Sequence, residues 1–157
     1  MRAFSEFEQD VRANFLAAKL GDRREDVAEV DVHFVLPVAA FEKYQELIDD
    51  VTNGDFDVAA GYNLVLLYTD PEDARRAGTV LFGRDIDGLI SVWSAFLEEI
   101  KSEPDPAERR RMFNGAHSHF RSSLWLNSNL SDPCASKNLL PRRSGSEKKS
   151  FWKKFLH

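Results

Sequence analysis

The sequence predicts a small single-domain α+β fold: a three- or four-stranded, mainly antiparallel sheet packed by about four helices, with a flexible basic C-terminal tail. Three observations carry this expectation. A chain of 157 residues, 43% of them hydrophobic, suits one buried core. Apolar residues recur at helical spacing in several stretches, and at two-residue or continuous spacing in others. Beyond about residue 130 the periodicity stops and Asn, Ser, Pro and Lys take over. The expected organisation is an acidic α+β domain at 1–130 and a polar linker with a basic aromatic tail at 131–157.

Phe4, Phe7, Val11, Phe15 and Ala18 fall on one face of a first helix, with Ser5 as a cap and Gly21 as a stop. "EVDVHFVL" at 29–36 then alternates as a half-buried strand does, with His33 on its polar side. Pro37 suits the start of a second helix whose inner stripe is Val38, Phe41, Leu47, Ile48 and Val51, ending near Asn53-Gly54. "DFDVAAGYNLVLLYTD" at 55–70 alternates weakly and then becomes continuously apolar from Leu64 to Tyr68, as a strand covered on both faces would be, and Gly61 marks a bulge or turn within it.

Thr69 or Asp70 can cap a short helical turn begun by Pro71, after which "TVLFGRD" reads as another strand, able to pair antiparallel with the preceding one. Ile86, Leu89, Ile90, Trp93, Phe96, Leu97 and Ile100 make one face of the clearest helix. A last helix opens with Asp105 as cap, Pro106 at its first position and Glu108 completing a capping box; Met112, Phe113, Ala116, Phe120 and Leu124 form its stripe.

Charge is unevenly distributed. The net charge is −5. Residues 137–157 carry seven basic side chains against Glu147, a net of +6, which leaves −11 on residues 1–136. An acidic body repels phosphates, so no nucleic acid partner is expected. Cys134 is the only cysteine, which excludes an intramolecular disulfide. The N-terminus places acids where a signal peptide needs an apolar run, and no stretch is long enough to span a bilayer, so the expected compartment is the cytoplasm.

No nucleophile elbow, Walker loop, dinucleotide fingerprint or zinc spacing occurs. "DIDGLISVWSAF" lacks the glutamate that a calcium loop needs at its twelfth position. No cofactor, metal or catalytic residue is therefore expected. His117 and His119 are two apart and point about 200° apart on a helix, so they cannot share a metal on one face. Arg109, Arg110 and Arg111 spread over a similar arc beside Glu103, Asp105 and Glu108, as a solvated face would. In the tail, Phe151, Trp152 and Phe155 with Lys153 and Lys154 would form a basic amphipathic helix, marginal alone and suited to a partner groove, the acidic body or a weak membrane-surface contact.

These features lead to the expectation of a non-enzymatic protein-binding module, of the kind represented by toxin-neutralising immunity proteins and secretion chaperones. Its partner would present a basic surface to acidic loops: Asp55, Asp57, Asp70, Glu72, Asp73, Asp85 and Asp87. The alternatives are a metal-assisted hydrolase using His33, His117 or His119 with nearby aspartates, and a peripheral membrane adaptor anchored by the tail.

Overall fold

The computed structural model describes residues 4–83, 86–124 and 139–143. Ser5 opens helix α1 (Glu6–Leu20) with a capping box: its hydroxyl accepts the Glu8 N–H at 3.2 Å, and the Glu8 carboxylate accepts from the Ser5 hydroxyl at 3.1 Å and backbone N–H at 3.4 Å. With its carboxylate satisfied there, Glu8 is buried together with Phe15, Leu16 and Leu20. The helix is thereby rotated away from the expected stripe. Phe7 is 49% exposed and Ala18 also faces out, while Leu16 and Leu20 take the inner positions.

Strand β1 (Val30–Phe34) pairs antiparallel with β2 (Leu64–Tyr68), in register from Val30–Tyr68 to Phe34–Leu64. All five β2 residues are buried, as their unbroken apolar run requires. Helix α1 packs on β1 and sets the Arg12 guanidinium against Asp31. His33, expected on a polar face, is therefore only 5% exposed.

The single second helix of the sequence reading is two helices, α2 (Val38–Lys43) and α3 (Gln45–Thr52). Tyr44 separates them at φ −115°, ψ 23°, where its ring is buried and its hydroxyl donates to Glu98 at 2.9 Å. Burying that ring and satisfying its hydroxyl outweigh the helical conformation at one residue.

Helix α4 (Pro71–Ala77) starts at Asp70, whose carboxylate accepts the Glu72 N–H at 2.9 Å, and stops at Gly78 in the left-handed region. The chain returns from it in the direction of β2. Leu81 accordingly bridges Tyr68 in parallel, with the Phe82 N–H on the Tyr68 carbonyl at 2.9 Å. A helical crossover restores strand direction, and Gly83 at φ 74° turns the chain before a ladder can grow. Over the described residues 79–83 of "TVLFGRD", the expected antiparallel strand is thus one parallel bridge. The described residues form two strands and six α-helices, a mostly helical α+β fold in place of three or four strands and about four helices.

Helix α5 (Ile86–Ser102) packs on α2 and α6 (Pro106–Leu124), and α3 packs on α6. Asp105 caps α6 through the Ala107 N–H at 3.1 Å. The expected box partner Glu108 pairs with Arg111 instead, and Glu103 accepts the Asp105 N–H at 3.2 Å. One core cluster surrounds the sheet, and a second joins Leu36 and Ile48 to Trp93, Leu97, Ile100 and Phe113; Phe41, Phe56 and Phe120 pack against both.

Residues 139–143, within the stretch read as linker, lie against the body. Pro141 bridges Val27, the Leu140 carbonyl accepts the Ala28 N–H at 2.8 Å, and the Leu140 N–H donates to the Tyr68 hydroxyl at 3.0 Å. Arg143 lies 3.0 Å from Asp70 and 2.9 Å from the buried carboxylate of Asp73. Among the described residues, no helix is long and apolar enough to cross a membrane.

Candidate functional site

Helix α3 ends where Asn53 and Gly54 take positive φ angles, and the following loop folds on itself. The Tyr62 hydroxyl accepts the Asp57 N–H and donates to the Asp55 carbonyl at 3.5 Å; the Asp57 carboxylate accepts the Ala59 N–H at 2.9 Å. Asn63 anchors the end of this loop. Fully buried, it accepts the Leu36 N–H at 2.8 Å and donates to the carbonyls of Leu36 and Val58 at 3.1 and 2.8 Å, so its amide orientation is fixed.

His117 of α6 meets the same amide, its Nε2 2.9 Å from Asn63 Oδ1. Because that oxygen is an acceptor, Nε2 carries the proton and donates. Burial, reinforced by the Arg121 guanidinium, lowers the His117 pKa to about 4, so the ring is neutral at pH 7.

A cleft of about 390 Å³ opens in front of this ring. One wall is a single stripe of α6 from Arg110 through Phe113, Asn114, His117 and Ser118 to Arg121. The other is Thr52, Asp55, Phe56 and Tyr62. Phe56 joins the walls, meeting Tyr62, Phe113 and His117 edge-on at centroid distances of 5.5, 5.4 and 5.6 Å. Neutral aromatic surface with a cation toward each end of one wall suits binding.

The acidic residues expected to bind a partner are not equivalent in the fold. Asp70 and Asp73 face Arg143, and hydrogen bonds from Arg75 hold the Glu72 carboxyl below the usual carboxylate range. Asp55, Asp57 and Asp87 are exposed. Asp85 and the tail set Phe151, Trp152, Lys153, Lys154 and Phe155 lie outside the described residues. A denser acidic surface lies alongside: Glu42, Glu46, Asp50, Asp55 and Asp57 are all exposed along α2, α3 and the following loop, and among the described residues Asp50 alone is met by a cation in an ion pair, Arg109 at 3.4 Å. Its signal was readable, since residues 42–57 contain six acids and one lysine.

The histidines occupy separate settings. His33 and Glu8 line a cavity of about 20 Å³ under α1, and His33 Nε2 has no hydrogen-bond partner there. Burial first and Arg12 second lower the His33 pKa to about 4. His117 lines the cleft, and His119 is exposed beside Phe120. Among the described residues, no group of three or more His, Cys, Asp or Glu side chains is placed to hold a metal ion. The cleft residues Arg110, Phe56 and Tyr62 were missed because two lie in a loop without periodicity and one sits in a run of three arginines. No family model, curated protein or solved structure matches the chain.

Proposed function

We propose that the chain is a non-enzymatic protein-binding module that meets a basic partner along the acidic ridge from Glu42 to Asp57. The observation that carries this reading is the exposure of five acids on α2, α3 and the adjoining loop, of which Asp50 alone is ion-paired among the described residues, to Arg109, with Lys43 the one basic residue in the stretch. Such a ridge attracts a cationic cleft over the Debye length and accelerates encounter. An inhibitor that covers a basic active site, as an immunity protein does, is the form of this function that the charge suits best.

The recognition set thereby moves from the full series of acidic loops to Asp55 and Asp57, joined by Glu42, Glu46 and Asp50. Capture from the native lysate tests it, with wild type and a Glu46→Lys/Asp50→Lys/Asp55→Lys/Asp57→Lys variant immobilised in parallel. A stoichiometric basic protein retained by wild type and lost from the variant is expected. Equal retention on both, or no retained protein at low salt, contradicts the reading.

A further inference from the structure

Of the three consecutive arginines, two are engaged within the fold. Arg109 donates to the carbonyls of Glu103 and Lys101 and meets Asp50; Arg111 pairs with Glu108. Arg110 is exposed, lines the aromatic cleft and has no ion pair or hydrogen bond among the described residues. We infer that this cleft is a binding site for a small organic anion with a flat apolar body, its acidic group held at Arg110 and its ring lodged among Phe56, Tyr62 and His117.

The dimensions and chemistry agree. A volume of about 390 Å³ lies within the range of pockets that bury small ligands, and such pockets combine aromatic walls with a few placed polar groups. Arg110 alone, in contact with solvent, would hold a bare anion weakly. The aromatic rings supply the apolar contact that an inorganic ion cannot use. The neutral His117 is fixed by Asn63, so it forms wall surface without competing for the anion as a second cation. Arg121 stands farther along the same helical face. Asp55 is the acid lining the opposite wall, so its charge opposes that of Arg110.

That asymmetry gives the test two opposite signs. Full-length protein is titrated calorimetrically with 1-naphthyl phosphate, inorganic phosphate and 1-naphthol. Naphthyl phosphate should bind at least about tenfold more tightly than either single-feature probe, because one supplies only charge and the other only the ring. Arg110→Gln, which keeps helix propensity at an exposed site, should weaken naphthyl phosphate about tenfold, and Asp55→Asn should strengthen it severalfold. Amide shifts at residues 55–62 and 113–118 should accompany binding. Equal affinity for phosphate or for naphthol, no binding of naphthyl phosphate, or indifference to Arg110→Gln overturns the site. Loss of Asp55 charge weakens the proposed protein partner but strengthens this ligand, so the two readings fail separately.

Discussion

At the residue scale, Asn63 and His33 show what the fold asks of buried polar groups. Asn63 satisfies the Leu36 N–H, the Leu36 carbonyl and the Val58 carbonyl at once, and positions His117. Asn63→Ala should cost about 3 kcal/mol or more in urea unfolding, since each abandoned buried group carries roughly 1–3 kcal/mol. An unchanged urea midpoint would contradict this role. His33 is the opposite case, a buried imidazole with an unpartnered Nε2. Its folded pKa, about 4, lies below the ordinary 6.5, so folding favours the neutral ring. The stability this gives is fully present above pH 6.5 and is lost as the pH falls toward 4, because the unfolded chain binds the proton first. His33 alone should cost about 2 kcal/mol between pH 7.5 and pH 5. His33→Phe should remove that share of the slope without loss of stability at pH 7.5, and an unaltered slope would show that His33 titrates normally. Neither role was legible. The sequence displayed His33 on an alternating strand and Asn63 beside a turn, whereas Arg12 of α1, 21 positions from His33, and Leu36, 27 positions from Asn63, decide their environments.

At the element scale, local signals survived wherever local chemistry governs. The Ser5 and Asp70 caps, the apolar β2 run and the stripes of α5 and α6 all stand as the sequence indicates. Some expectations failed where a distant contact intervened, as when Tyr44 reached Glu98 and divided a helix or α4 reversed the direction of the segment around Leu81, and others where one local pairing displaced another, as when Glu108 paired with Arg111 in place of its capping box. The segment 139–143 had no periodicity to announce its docking, because its hold is one buried leucine, backbone hydrogen bonds and two arginines. Arg143→Ala leaves the carboxylate of Asp73, 2% exposed, without its cation. A loss of about 3–5 kcal/mol is expected, and Asp73→Leu on top of it should recover a large part, because a buried pair contributes little over an apolar replacement while a broken one is costly. If Arg143→Ala unfolds at the same urea concentration as wild type, the segment is not clamped in this way.

At the scale of the whole molecule, the acidic character of the body was plain from composition, but the identity of its free charges was not. Asp70, Glu72 and Asp73 look equivalent to Asp55 and Asp57 in sequence, yet Arg143 and Arg75 engage the first three and leave the others exposed. Likewise the run Arg109–Arg111 reads as one solvated patch, and only tertiary packing separates Arg110 from its neighbours and turns it toward aromatic walls. The loop between α3 and β2 therefore divides two surfaces, an acidic ridge and an aromatic cleft lined by Arg110, with Asp55 facing both. Of these, the ridge carries the proposed function. Its most direct test is the association rate of the captured partner with wild type and with the four-site lysine variant, at roughly 50 and 200 mM salt. Wild type should associate severalfold more slowly at the higher salt, and the variant should be slow at both. Rates that match between the two proteins and do not respond to salt would contradict recognition through the ridge.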